Sequence, residues 1–318
     1  MKRVMLVVAY DGRDFAGFQA QKSGVRTVEG VLNQTLSEMT GEEITVTGSS
    51  RTDAGVHARC NLAVFDTESQ IPADRFSHAL NIRLPEDLKI QESFEVPADF
   101  HPRRCRTVKT YEYRIYNAPF PSPVYGRYAA FSYTPFDVER MAEAGRYLVG
   151  EHDFTSFSSV YSKALSHVRT ITDLQVWEEP CGAPIHMRDY FPEREGEEKT
   201  SATRKRPDPA GDAARARMPR MIVIRVSGTG FLYNMVRIIA GTLMEAGRGA
   251  LRPEDMEKIL DARERTKAGP TAPACGLLLA DYQIFPDQKK EAFVLPEGET
   301  GEETADRNPA DEKNKIRD

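Results

Sequence analysis

The chain has 318 residues, of which 40% are hydrophobic, which suffices for one large or two modest domains around a real core. Its net charge of −5 excludes a uniformly basic nucleic-acid binder, although a local basic patch would still allow RNA binding. No apolar run reaches eighteen residues and the four cysteines form no Cys-x-x-Cys pair, which argues against a membrane span, a structural metal or a disulfide framework and favours reduced thiols in the cytoplasm.

Strand and helix patterns alternate along the chain. Helical spacing follows a Thr27 cap, recurs from Val138 to a closing Gly150, runs from Phe231 to Met244, and begins again at Pro253. Seven segments rich in Val, Ile, Tyr and Thr predict strands at residues 2–9, 43–48, 61–66, 107–117, 167–177, 220–227 and 278–285. Because no regular βαβ rhythm or phosphate-binding loop appears, we predict an α+β fold with largely antiparallel sheet.

Two segments have the composition of additions to this fold. Residues 178–220 carry nine acidic and nine basic side chains with few large apolar ones, which predicts a long surface insertion or a disordered loop. The run Arg204-Lys205-Arg206 leaves contact with RNA as the alternative for this insertion. Residues 287–318 carry ten acidic and six basic side chains, so we predict a disordered acidic tail.

The stretch Gly48-Ser49-Ser50-Arg51-Thr52-Asp53-Ala54-Gly55-Val56-His57-Ala58 is the most informative part of the sequence. It places one carboxylate, Asp53, between a cation and a glycine that allows a tight turn. We expect Arg51 to lower the pKa of Asp53 and keep it ionised, as a nucleophile or base requires. For His57 we favour a turn histidine that hydrogen-bonds the backbone over a general base.

A basic and aromatic segment follows in the middle of the chain. Residues 101–114 contain five basic side chains and one acidic one, with Tyr111 and Tyr113 interleaved. Such a local positive patch is what phosphate neutralisation requires. A solvated basic edge strand is the alternative.

Several blocks resemble the tRNA pseudouridine synthases of the A type. Arg51-Thr52-Asp53-Ala54-Gly55-Val56-His57-Ala58 resembles their signature, and the other blocks follow in the family's order over about residues 1–285. These blocks are Tyr10-Asp11-Gly12 through Gln19, Phe100-His101-Pro102-Arg103, Lys109-Thr110-Tyr111-Glu112-Tyr113, Gly150-Glu151-His152-Asp153-Phe154, Phe231-Leu232-Tyr233-Asn234-Met235-Val236-Arg237, and Ala272-Pro273 with Gly276-Leu277. The chain departs from the pattern at Ser49-Ser50 and at Phe18, which stands where a tryptophan is usual.

The resemblance implies a fold and an activity. The fold would be two similar α+β subdomains with mainly antiparallel sheets and an active-site cleft between them. We expect them at 1–104 and 105–286. The activity would be isomerisation of uridine to pseudouridine at positions 38, 39 and 40 of the tRNA anticodon stem-loop, by a homodimer without a cofactor.

The resemblance also assigns roles to individual residues. Asp53 would be the catalytic aspartate and Arg237 its ion-pair partner. Tyr111 would stack on the extruded uracil, while Arg51 would occupy the space that the base leaves. Further substrate contacts are expected from Leu277 as an apolar wall of the pocket and from the basic residues Arg103, Arg104 and Lys109.

Three rival functions remain open at the level of sequence. The first is a non-catalytic RNA-binding protein on the same fold. The second is a hydrolase with an aspartate nucleophile, although no second carboxylate or histidine cluster stands near Asp53 in the sequence. The third is a pseudouridine synthase that acts on another RNA target.

Overall fold

The computed structural model describes residues 1–181 and 219–289, and within them ten strands form one sheet against which helices lie. The strands are β1 (Lys2–Tyr10), β2 (Thr47–Gly48), β3 (His57–Thr67), β4 (Leu88–Val96), β5 (Cys105–Asn117), β6 (Ala130–Ser132), β7 (Gly150–Asp153), β8 (Val168–Pro180), β9 (Arg220–Gly228) and β10 (Leu277–Lys289). The α-helices are α1 (Val28–Thr40), α2 (Phe76–Asn81), α3 (Val138–Arg146), α4 (Met235–Gly247) and α5 (Asp255–Ala262).

Eight strands follow the order β4-β1-β3-β10-β5-β9-β8-β7, with β2 paired to β3 and β6 paired to β5. Only the pairs β10–β3 and β5–β6 are parallel among the described strands. The mixed α+β class with a mainly antiparallel sheet is therefore confirmed. Strand β10 continues the sheet between β3 and β5, where Leu278 lies opposite His57 and Leu279 opposite Ala58. The division into subdomains at residue 104 stays a prediction.

The main hydrophobic core lies between the helices and one face of the sheet. Alternate residues of β1 enter this core, whereas Met5 belongs to a smaller cluster on the opposite face. Helix α1 begins as predicted, because the Thr27 hydroxyl oxygen accepts from the Gly30 N–H at 3.2 Å. It ends at Gly41, whose φ of 74° is the left-handed conformation that glycine adopts without strain.

The predicted strand at residues 43–48 is mostly wrong, since only its last two residues form β2. The Ile44 N–H donates to the Ser37 hydroxyl at 2.9 Å, and the Val46 N–H donates to the Asn33 side-chain oxygen at 2.8 Å. Helix α1 thus binds the donors that a neighbouring strand would need, while both apolar side chains still reach the core.

The third predicted helix begins later than its apolar pattern suggests. Asn234 has a φ of 61°, a left-handed conformation, so α4 begins at Met235 instead of Phe231. Strands β4, β6 and β7 and helix α2 were not predicted. Strands β4 and β7 lie at the edges of the sheet and have polar sequences. Strand β6 has three residues and helix α2 has six, which is too short for a clear periodic pattern.

The ends of the predicted insertion at 178–220 belong to the sheet. Strands β8 and β9 remain paired as far as Pro180 opposite Arg220. The rest of this insertion and the predicted acidic tail beyond residue 289 lie outside the described residues. In the described ranges, no helix is both long enough and apolar enough to cross a membrane.

Helix α4 approaches the segment before β10 backbone to backbone. A Cβ added at Gly241 would lie 1.8 Å from the Pro270 carbonyl oxygen. One added at Gly269 would lie 2.7 Å from Thr242 Cα. Glycine is therefore required where α4 and this segment meet, and the contact fixes α4 against the start of the last strand.

We expect Gly241→Ala to lower the free energy of unfolding by about 1–3 kcal/mol, because the methyl group overlaps a backbone carbonyl. The loss should appear although alanine favours helix by roughly 1 kcal/mol over glycine. Denaturant unfolding measures both effects together. Gly126→Ala is the matched control, since its Cβ would meet no atom within 4 Å. Equal stabilities for the two variants would contradict the close approach.

Candidate active site

The loop at residues 49–56, between β2 and β3, is held by a buried polar network. The Tyr10 hydroxyl lies 2.7 Å from the Thr52 hydroxyl. The Asn61 amide donates to the Ser50 carbonyl at 2.9 Å and to the Tyr10 hydroxyl at 3.2 Å. Because burial leaves these polar groups no water to bind, losing any partner would be costly, and the network fixes the loop in one conformation.

The turn around Asp53 depends on two glycines. The Val56 N–H donates to the Asp53 carbonyl at 3.2 Å, and Gly55 adopts a φ of 79°, as the sequence predicted. From the N-terminal segment, Gly12 lies so close that an added Cβ would be 1.9 Å from the Val56 carbonyl oxygen. The N-terminal motif therefore packs directly against this loop.

Asp53 faces a cation from a distant part of the chain. Arg237 on α4 brings its Nη1 to 3.4 Å from Asp53 Oδ2, with side-chain exposures of 17% and 19% respectively. The structure thus brings together the two residues that the sequence analysis paired. Because both groups are largely dehydrated, little water screens the attraction between their charges, although only one contact at 3.4 Å joins them.

Burial raises the pKa of Asp53 above its ordinary value, and the charge and hydrogen bond of Arg237 oppose that shift. The expectation that Arg51 lowers this pKa is wrong. Arg51 is exposed, and the opposing cation is Arg237. The net shift is upward because one long contact does not offset the loss of hydration.

Two hydrogen-bond partners besides Asp53 hold the guanidinium of Arg237 in place. Its Nε donates to the Ala272 carbonyl at 2.7 Å, and the Ala272 N–H donates back to the Arg237 carbonyl at 3.1 Å. Its Nη1 donates to the Asn234 side-chain oxygen at 2.9 Å. The segment before β10 and the residue before α4 therefore set the position of the guanidinium.

Tyr111 and Tyr113 have different environments, although they lie on the same face of β5. The Tyr113 hydroxyl donates to the Pro273 carbonyl at 2.9 Å, and its side chain is completely buried. Tyr111 packs edge-on against Phe231, with ring centroids 5.2 Å apart. Burial, together with the negative charge of Asp53 among other groups, raises the pKa of Tyr111. Tyr111 therefore interacts electrostatically with Asp53, whereas Tyr113 bonds the segment before β10.

Basic side chains gather beside the 49–56 loop. The Arg103 Nε donates to the Gly48 carbonyl at 2.8 Å, and its pKa is lowered by burial and by the nearby Arg51. Arg104 is exposed next to it, and the Lys109 ammonium lies 5.4 Å from the ring centroid of Tyr282. The Tyr282 hydroxyl in turn bonds Ser49 in the loop. Arg103 and, through Tyr282, Lys109 thus lie at the start of the loop that carries Asp53.

Two further sequence predictions can be located. The His57 Nδ1 accepts from the Gly12 N–H at 3.1 Å, so this histidine bonds the backbone as predicted. Leu277 opens β10 opposite Tyr113 and is 5% exposed, while its role as a pocket wall stays a prediction. Among the residues described, no three His, Cys, Asp or Glu side chains meet as a metal site would require.

Sequence reasoning missed two partners of Arg237. Ala272 acts through its backbone, which no side-chain pattern reveals. Asn234 precedes a helix, where asparagine normally caps the first turn. Here its side chain makes no capping bond and accepts from Arg237 instead. Capping the helix and accepting from Arg237 differ in the backbone conformation of Asn234. That conformation is left-handed here, and the sequence does not reveal it.

Comparison with known proteins agrees with this geometry. The sequence pattern of the family described as tRNA pseudouridine synthase matches residues 6–103 and 144–283. The chain is 40% identical to a tRNA pseudouridine synthase A of Acetivibrio thermocellus, over 88% of this chain and 99% of that protein. It is 43% identical to the protein of the same name from Brevibacillus brevis, over 88% and 98% of the two chains. The chain therefore belongs to the tRNA pseudouridine synthase family.

Proposed function

We propose that this protein isomerises uridine to pseudouridine at positions 38, 39 and 40 of the tRNA anticodon stem-loop. The observation that carries the proposal is a dehydrated Asp53 carboxylate with one loosely bound cation, Arg237, beside the buried ring of Tyr111. The relatives named above carry this class of activity in their names.

The reaction breaks the bond between N1 and C1′, turns the uracil, and joins C5 to C1′. Asp53 acts as the ionised carboxylate, either by attack on C1′ or by removal of the proton at C2′. Both routes require a charged carboxylate, which Arg237 favours against the effect of burial. The ring of Tyr111 stacks on the detached uracil, and Leu277 closes the pocket on its apolar side.

The cations beside the 49–56 loop bind the tRNA backbone. Arg103, Arg104 and Lys109 contact phosphates, while Arg51 fills the space that the flipped uridine leaves. Support comes from their convergence around one loop in a chain whose net charge is −5. The local patch, rather than the total charge, governs binding.

We further propose a homodimer in the cytoplasm, with subdomains at 1–104 and 105–286. The family resemblance supports the dimer. Large apolar side chains between β5 and α3 agree with it, since Phe120, Val124 and Tyr133 are 79%, 73% and 76% exposed.

Asp53→Asn should reduce pseudouridine formation at least about a hundredfold while tRNA binding persists, because the amide is isosteric but cannot ionise. Release of tritium from tRNA labelled at uracil C5 reports the reaction, since the new bond expels that hydrogen. Asp281→Asn, an exposed carboxylate on β10, is the control and should retain activity.

A wild-type protein that binds tRNA but releases no tritium would favour the non-catalytic binding protein. Loss of the base without pseudouridine would favour the hydrolase. Release from another RNA but from no tRNA would show that the target differs.

Arg237→Met should move the acidic limb of the rate profile to higher pH. The guanidinium lowers the pKa of Asp53, so its removal lets that pKa rise and leaves less carboxylate ionised at a given pH. Activity near pH 7 should therefore fall more than activity near pH 9. A proportional loss at every pH would contradict the electrostatic role of Arg237.

Replacement of Arg51, Arg104 and Lys109 together by glutamine should weaken tRNA binding and lower the slope of log Kd against log salt by about two. Arg103 is left intact, because its contact with Gly48 also supports the loop.

The matched control removes three cations elsewhere. Arg75, Arg252 and Lys258 have side-chain exposures of 65%, 64% and 68%, and their change to glutamine should leave the slope unchanged. Equal slopes for both triple variants would place the RNA on another surface.

A further inference from the structure

The contact between Arg237 and Asp53 is loose beside another ion pair of the same protein. Arg3 binds Asp66 at two points, from Nε to Oδ1 at 2.8 Å and from Nη2 to Oδ2 at 2.6 Å. Asp53 receives one contact at 3.4 Å. The hydrogen bonds of Arg3 lower the pKa of Asp66, whereas burial raises the pKa of Asp53 and its single contact with Arg237 does not offset that rise.

The geometry of the guanidinium shows what holds the pair apart. Arg237 Nη1 carries two hydrogens and has two acceptors, Asn234 Oδ1 at 2.9 Å and Asp53 Oδ2 at 3.4 Å. The Nε is fixed to the Ala272 carbonyl at 2.7 Å. Nη1 therefore lies nearer to the neutral amide than to the carboxylate, although charge attraction alone would favour the carboxylate.

Asn234 maintains this contact in a conformation that most residues avoid. Its φ and ψ are 61° and 6°, and within the described ranges only Arg263, with a φ of 48°, is another left-handed residue besides glycine. The Asn234 side chain leaves the first turn of α4 uncapped. Unfavourable backbone conformations persist where the surrounding structure imposes them, which happens most often at functional sites.

We propose that Asn234 is a positioning residue that restrains Arg237 from closing onto Asp53, so that the carboxylate remains ionised yet poorly hydrogen-bonded and therefore reactive. The inference rests on the proposed role of Asp53. A carboxylate that accepts a close two-point contact is stabilised in its charged form, and a more stable anion is a weaker base and nucleophile. A moderate attraction at 3.4 Å favours ionisation without that loss.

Among the described residues, the titratable groups that interact with Asp53 are Arg237 on α4 and Tyr111 on β5. Tyr111 stays neutral throughout the acid range, because burial raises its pKa further. The acidic limb of the single-turnover rate therefore reports the ionisation of Asp53 as Arg237 tunes it.

The first test is Asn234→Gly, which removes the amide and suits the left-handed backbone. Freed Nη1 should approach Asp53, so the acidic limb should move to lower pH by roughly half a unit, and the plateau rate should fall about three- to tenfold. The Kd for tRNA should not change. The thermal midpoint should not fall below that of the wild type, which separates positioning from loss of structure.

The second test is Asn234→Asp, which should shift the limb in the opposite direction. The added carboxylate competes for Arg237 and places negative charge near Asp53, so the acidic limb should move to higher pH. Arg263→Gly is the control, because it replaces the other described left-handed residue besides glycine, whose side chain pairs with Asp153, and it should leave the profile unchanged. A purely structural role of Asn234 would not move the acidic limb in opposite directions in the two variants.

Tritium release by wild type and Asp53→Asn, measured in the same experiment, separates the two levels of inference. No release by the wild type would overturn the proposed function. Release that depends on Asp53, with an acidic limb that stays unmoved or rises in Asn234→Gly, would leave the function intact and overturn the role of Asn234. A lowered limb with unchanged tRNA affinity would establish it.

Discussion

The dehydrated contact between Asp53 and Arg237 joins the loop before β3 to helix α4. A carboxylate loses much hydration energy when it is buried, and it stays charged only if a cation is held within a few ångströms. The two residues are 184 positions apart in the chain. Strand β10 lies between β3 and β5, and the segment that leads into it contributes Ala272, whose carbonyl accepts from Arg237 Nε. Hydrogen bonds from the Ala272 N–H to the Arg237 carbonyl and from the Gly269 N–H to the Thr242 hydroxyl hold α4 against this segment, and Gly241 allows the close approach.

The same loop also organises the positive patch. Arg103 reaches across to the Gly48 carbonyl, and Arg51 stands near enough to lower the pKa of Arg103. Like charges held together in this way repel each other in the free protein, and an approaching phosphate removes that repulsion. The proposed tRNA-binding cations thus include neighbours of the proposed catalytic carboxylate, although the chain as a whole is acidic with a net charge of −5.

Local signals predicted the parts of this arrangement that depend on neighbouring residues. The Thr27 cap, the turn at Gly55 and the long β-branched strands follow from contacts within a few positions, and the structure contains them. The motif around Asp53 identified the site through its resemblance to a family. Ile44 and Val46 had the composition of a strand, yet α1 binds their amides. Contacts between residues far apart in the chain produce no periodic pattern in the sequence. The electrostatic effect of Arg237 on Asp53 is another contact of this kind.

The ion pairs Arg3–Asp66 and Arg237–Asp53 show why the most stable contacts do not identify a functional site. Arg3 satisfies Asp66 at both oxygens, and such a pair joins β1 to β3 without any reactive group remaining. In the proposed reaction Asp53 keeps an oxygen available for the sugar, which requires a partner that is attractive and yet held back. The left-handed backbone at Asn234 and the uncapped first turn of α4 both reduce stability. Stability is thus given up beside Arg237, which is what the proposed restraint on the guanidinium requires if it is to keep the carboxylate reactive.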